Sequence, residues 1–351
     1  MNRDDAMPEV YPAAHRCPRV PREELSRSTV LDVMPHHFIQ FQRQRYTAIP
    51  TAFLSVLLCL LASCATTPEE TEDVEDETFR PLGPATRMED TIGKYLGDLS
   101  ISITAWNEKT LVASTKNEVN KTSLLEINIR ERVHNRHTEI LGQLLTGPDR
   151  NRIIAAAALG FSSDPSDLSP LLAALEDPNK LVVANAMLGL GTLSLPETPL
   201  YRIGDLMRFS PNPKTRWSAA HCILTLVAAG AESNGAIEPA VAGLTDAEEP
   251  MVRAQSALIL GVIGHTDSIE PLGNLLFDEV PIVSVSAAKA LAYLGTQNEK
   301  ESADAARALY RAFASGDSPL SLRVHPSLVR LSNRDYGDDM KDWAKWIKKL
   351  P

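Results

Sequence analysis

The side chains that could do covalent or metal chemistry in this 351-residue chain are few: four cysteines, eight histidines and some clustered carboxylates. Cys222 follows His221 inside an apolar helix-like stretch. A nucleophilic thiol needs a paired base, and no such arrangement is visible. Cys222 therefore reads as a small buried hydrophobe, with a reactive thiol as the alternative. His134 and His137, at i and i+3, share a helical face and could give two ligands to a metal. A metal site needs further ligands close by, and none is evident, so no metal is expected. Asn333–Asp339 is acidic but lacks the alternating ligands and distal Glu of a calcium loop. It reads as a turn. Arg216 and Arg253 are expected to pair with turn carboxylates such as Asp246 rather than to act on a substrate. There is no phosphate loop, no Gly-x-Ser-x-Gly, no His-Glu-x-x-His and no Cys-x-x-Cys. The chain is expected not to be an enzyme and to need no cofactor.

The elements that would hold these residues repeat along the chain. Five Ala-rich segments align, at Arg152–Gly160, Val183–Gly191, Arg216–Leu224, Arg253–Gly261 and Ser284–Ala292. Equivalent positions 153, 184, 217, 254 and 285 are spaced by 31, 33, 37 and 31 residues. The second to fifth segments are each preceded by another helical stretch that opens near a proline, at Pro170, Pro199, Pro239 and Pro271. Proline suits a first helical turn, where its missing N–H is not needed. Polar turns such as Glu176–Asn179 and Thr245–Pro250 lie between the two. A period in this range signals stacked helical hairpins, each contacting mainly its neighbours. Aromatics are only 5%, which suits closely approaching helices lined with Ala and Leu.

Pro-Leu at the first helix, Asp in the turn and Val-Arg ahead of an Ala-rich helix ending near Leu-Gly resemble the HEAT-repeat family. Val252-Arg253-Ala254 with Asp246 matches best. The third unit departs most, with Trp217 where a small residue is usual. The resemblance implies an all-α fold, an α-solenoid of about five to six HEAT-like helical hairpin repeats over 140–335. It implies a platform for partners rather than one activity. A capping helix is expected at 336–351, where Met340, Trp343, Trp346, Ile347 and Leu350 recur at helical spacing among lysines. The Trp pair reads as a lid on the last repeat, with an exposed aromatic patch as the alternative. Residues 87–139 are harder. Met88–Leu96 begins a helix, Ser100–Trp106 fits either a strand or a continued helix, and 118–145 fits one or two helices.

If the solenoid binds a protein or peptide, the expected surface is the concave ridge of the second helices. Its polar residues would be Asn185, Ser218, His221, Gln255, Ser286 and Lys289, from two aligned columns three positions apart. A merely solvated face is the plainer alternative. The net charge of −10 and pI near 5.4 argue against nucleic acid, which needs a basic stripe.

Ahead of the repeats, Leu61-Ala62-Ser63-Cys64 closes an apolar run, Phe53–Ala62, with Arg43 and Arg45 upstream. That order resembles a bacterial lipoprotein signal, which implies a lipid on Cys64 and a place in the cell envelope. An uncleaved anchor and an ordinary cleaved signal are alternatives. The expected organisation is 1–33 as a disordered leader or mis-assigned start and 34–63 as signal peptide, since Met34 would be a natural start. Residues 64–86 would be an acidic tether, seven of the nine residues Glu69–Glu77 being acidic. Such a run self-repels and extends. Ala65 after the cysteine leans toward an outer membrane facing the periplasm. Two rival functions are an enzyme subunit, since some HEAT-like proteins resemble bilin lyases, and a mechanical spacer. Only Cys222 and His221 could serve the former.

Overall fold

The computed structural model describes residues 91–112, 115–296 and 299–351. The expected leader, signal and tether, with Cys64, lie outside the described residues. Within them the chain forms fifteen α-helices and no strand. The first three are α1 (Ile92–Val112), α2 (Lys116–Asn135) and α3 (His137–Thr146). Then follow α4 (Asp149–Leu159), α5 (Leu168–Ala173), α6 (Lys180–Leu193), α7 (Tyr201–Phe209) and α8 (Pro213–Ala228). Next come α9 (Ile237–Thr245), α10 (Pro250–Ile263), α11 (Ile269–Leu275) and α12 (Pro281–Leu294). The last are α13 (Glu299–Phe313), α14 (Ser318–Ser332) and α15 (Met340–Ile347).

From α3 to α14 the helices pair into six hairpins, and hairpin stacks on hairpin to make an α-solenoid. The second helices (α4, α6, α8, α10, α12, α14) form one layer, each packed on the next. The first helices form the other layer and touch one another less. Short polar turns end each first helix, and the next helix starts on a cap. Asn179 and Asn212 accept from the backbone N–H groups of Leu181 and Lys214 at 3.0 and 2.9 Å. Pro213, Pro250 and Pro281 stand in the first turns of α8, α10 and α12, where an N–H would be unsatisfied anyway. Pro170, Pro239 and Pro271 stand in the first turns of α5, α9 and α11, and Pro199 lies just ahead of α7.

Small side chains set the spacing of the second-helix layer. Ala155–Ala158, Ala186, Ala219, Ala220, Ala257, Ala287 and Ala290 are all buried. Where α4 meets α6, even Ala is too large. A Cβ built on Gly189 would stand 2.3 Å from the Ala156 carbonyl oxygen, and one on Gly160 would stand 2.6 Å from the Gly189 carbonyl oxygen. Gly261 is similarly tight against Ala290 of α12. The Leu-Gly signature of the repeats thus marks backbone-to-backbone contact.

Ser100–Trp106 is helical, as part of α1, which packs on α2 and α4. The alternation that allowed a strand there arises because Leu96, Leu99 and Ile103 are buried at helical spacing while Ile101 points outward. α2 starts on a capping box: Thr115 Oγ1 accepts from Glu118 N, and Glu118 Oε2 accepts from Thr115 N. At the other end α15 closes the stack. Trp343 is fully buried among Phe313, His325, Tyr336 and Trp346, and its indole N–H donates to the Gly337 carbonyl at 2.8 Å. The tryptophans form a lid on the last hairpin.

Candidate interaction surface on the second helices

On α6, α8 and α12 the solvent-facing stripe recurs every three or four residues, as one helical face requires. On α6 it runs through Leu181, Asn185, Leu188 and Thr192. On α8 it runs through Lys214, Ser218, His221 and Thr225, and on α12 through Pro281, Val285, Lys289 and Tyr293. Asn185 is half-buried, its amide donating to the Leu181 carbonyl at 2.8 Å. Ser218, His221 and Lys289 are also half-buried.

The expected ridge is not continuous, because α10 is closed over. Gln255 is 2% exposed, and Leu258, at the place of His221 and Lys289, is also buried. Ser286 on α12 is fully buried. Gln255 and Ser286 therefore lie within the layer rather than on its surface. The reason is the tight α10–α12 seam: Gly261 and Ala290 bring the two backbones together. Trp217, stacked on His221 at 6.4 Å, also packs on the cluster of Ala254, Ile282 and Val283. Gln255 Oε1 and Ser286 Oγ have no hydrogen-bond partner within the protein. Two accessible patches remain, one on α6 and α8 and one on α12.

The cysteine and histidine of α8 lose their chemistry to burial. Cys222 is buried, and desolvation pushes its thiol up to about 12 against a weaker opposing hydrogen bond at Gly191. Atoms crowd the His221 ring, although it keeps some accessible surface, and that desolvation drives its pKa down to about 4. A thiol that stays protonated is a poor nucleophile, and an imidazole whose pKa is drawn down to about 4 is a weak base at neutral pH.

The arginines that open second helices bind the next hairpin. Arg253 donates to both oxygens of Asp278 at 2.8 and 3.1 Å and to the carbonyls of Ala247 and Glu248 at 3.0 Å. Arg216 pairs with Glu249 and with the Ser210 carbonyl. Arg152 pairs with Asp177 at 2.9 Å. That hydrogen bond holds the Asp177 carboxyl below its usual range against a smaller desolvation effect. Asp246 is not a partner of either arginine; it accepts from its neighbour Thr245 Oγ1. Each arginine instead reaches one repeat forward, so these pairs are clamps between hairpins.

His134 and His137 do not share a face, because Arg136 breaks the chain between α2 and α3. His137 Nε2 meets the fully buried carboxylate of Asp167 at 2.8 and 3.0 Å. No group of three His, Cys, Asp or Glu side chains is placed to hold a metal among the described residues. In the 333–339 turn, Asp335 accepts from Gly337 N at 2.7 Å and from His325 at 3.0 Å. One cleft of about 410 Å³ lies between α11 and α13, lined by Asp267, Glu270, Asp304, Arg307 and Arg311. Another of about 370 Å³ includes Arg130, His134 and Ser162. Neither includes a residue of the two columns.

Residues 237–321 match the family described as HEAT repeats. No curated protein matches the chain. Among solved structures it is similar to a designed armadillo repeat protein, at 18% identity and TM-score 0.43, over 55% of this chain and 98% of that one. An engineered protein is similar at 16% identity and TM-score 0.44, over 74% of this chain and 76% of that one. The complex of CpcE and CpcF of phycocyanin lyase from Nostoc sp. PCC7120 is similar at 20% identity and TM-score 0.37, over 60% of this chain and 93% of that one.

Proposed function

We propose that this chain is a non-enzymatic adaptor of the bacterial cell envelope, tethered by lipid on Cys64, whose second-helix layer holds a protein or peptide partner. The supporting observation is the pair of accessible patches on α6–α8 and α12. There Asn185, Ser218, His221 and Lys289 present hydrogen-bonding groups from rigid helices in register. Rigid presentation lowers the ordering cost of binding. Trp217 beside His221 adds the kind of aromatic surface that interfaces favour. A solenoid lays such groups along its concave side, which suits an extended or helical segment of a partner. The buried thiol weighs against a lyase-like role carried by Cys222. The lipobox at Leu61–Cys64 and Ala65 after it support an outer membrane facing the periplasm.

The test is a crosslinked capture of the tagged full-length protein from its host's membranes, beside Cys64→Ala and Lys289→Glu. Capture of one abundant partner, reduced by either change at unchanged melting temperature, is the expected result. Equal capture by all three versions would sink the tethered adaptor. Gln255 is unsuitable as a probe of the surface, because a charge there enters the core.

A further inference from the structure

The two ends of the stack differ. The C-terminal end is sealed by the Trp343 lid, whereas α2, at the N-terminal end of the described residues, exposes apolar side chains. Val119 is 41%, Leu124 66% and Ile127 52% exposed. Their buried counterparts, Thr122, Ile129 and Val133, lie on another face of the same helix. At 100° per residue the three exposed residues fall within one arc of about 140°. That arc also carries Lys116, Asn120, Ser123, Glu131 and His134, all exposed, with half-buried Arg130 at its edge. A terminal repeat of a solenoid ordinarily turns a polar face outward. α2 does not.

We infer that the Val119–Leu124–Ile127 face of α2 docks on the lipid surface that carries the anchor. This rests on the reading of Cys64 as lipidated. The chain outside the described residues says which surface is within reach. It joins the fold at α1, beside α2, and 26 residues, 65–90, separate Cys64 from Thr91. Fully extended they span roughly 90 Å, so the bilayer is always within reach of this end. Tethering turns a weak apolar contact into an intramolecular one at high effective concentration. Three apolar anchors among polar and charged neighbours, Lys116 and nearby Lys121 included, suit shallow insertion at the headgroup boundary, about 5–10 Å deep, with lysine tips kept in water. Docking there would set the second-helix layer at a fixed height above the membrane.

The test uses the full chain, lipidated in a bacterial host and reconstituted into vesicles of 3:1 phosphatidylethanolamine and phosphatidylglycerol. An environment-sensitive fluorophore is placed at Asn120→Cys, which leaves the apolar stripe intact. A control label goes at Phe277→Cys, also exposed but on the turn after α11. Buried Cys222 stays unlabelled. The expected result is roughly twofold quenching at position 120 by a lipid-borne quencher at the depth of an interfacial helix. Position 277 should be unquenched, and Leu124→Ser with Ile127→Ser should abolish the effect at 120. Vesicle-bound, palmitate-labelled protein with no quenching at 120 would overturn docking and leave the anchor standing. A blue shift at 120 without lipid quenching, dependent on protein density, would place a second copy on α2 and also overturn it. Failure to take up palmitate or float with vesicles would overturn the anchor reading, and docking with it.

Discussion

Replacing Gly189 by Ala should destabilise this protein, while the same change at Gly142 should stabilise it. Both glycines lie inside helices, α6 and α3. In each the added methyl gains about 0.5–1 kcal/mol by restricting the unfolded chain. At Gly142 nothing lies within 4 Å of the new Cβ, so that gain stands. At Gly189 the Cβ would be 2.3 Å from the Ala156 carbonyl oxygen and 3.1 Å from Leu171 Cδ2. The carbonyl belongs to α4 and cannot yield alone, so α4 and α6 must separate by about 1 Å along their seam. Overpacking of this kind costs about 1–3 kcal/mol, and a backbone obstacle puts it at the upper end. The net loss is then about 2 kcal/mol, and the two variants differ by about 3. The assay is hydrogen exchange by mass spectrometry on the full-length Cys64→Ala chain. A loss of about 2 kcal/mol makes amides of α4 and α6 exchange roughly thirtyfold faster. Peptides of α12 should stay unchanged, since repeats feel mainly their neighbours. Equal protection in the Gly189→Ala and Gly142→Ala variants would refute the claim that second helices meet backbone to backbone.

Trp343→Ala should cost about 3–5 kcal/mol, felt as loss of exchange protection in α13 and α14 ahead of the rest. Uniform loss along the chain would contradict a terminal lid. Arg253→Ala strips hydrogen bonds to Asp278, Ala247 and Glu248 and should lower stability in urea by about 2–3 kcal/mol. Arg202→Ala, which breaks an exposed pair with Glu176, should change it by under about 0.5. Similar effects for both would count against the inter-repeat clamp. His221 is held neutral in the fold by desolvation, with its pKa down at about 4. The unfolded chain takes up that proton below about pH 6.5 and the folded chain does not. Stability should therefore decline between pH 6.5 and 4 and be indifferent above 7. With the ring still partly accessible the effect is on the order of 1–2 kcal/mol, and His221→Gln should remove it. Cys222 should react with iodoacetamide at pH 8 only after unfolding. Rapid labelling of the native chain would restore a reactive thiol to consideration.

The period of the Ala-rich segments was legible in the sequence because each hairpin solves the same local problem. It needs an apolar face at helical spacing, a proline or Asx residue to start a helix, and small residues where a neighbour approaches. Those demands act within about forty residues, so they leave a mark at fixed spacing. Arg253 illustrates the limit. Its type and its place at a helix start are visible, but its partner is Asp278, 25 residues on, rather than Asp246 in the turn just behind. Gln255 illustrates it more sharply. Column alignment makes it equivalent to Asn185 and Ser218, yet it is buried and they are not. Helical phase fixes which way a side chain points, but the curvature and spacing of neighbouring helices decide whether it reaches solvent. At α10 that was settled by Gly261 meeting Ala290 and by Trp217 packing on Ala254. The apolar residues on α2 have the same character: their spacing reads as one more core face, and only the stack reveals that no helix among the described residues covers them. Sequence determined the repeat and its register, because these depend on local backbone chemistry, while the break at Arg136 between α2 and α3 and the helical state of Ser100–Trp106 showed only in the fold. Tertiary structure decided which faces are open, because exposure depends on what the rest of the chain brings alongside.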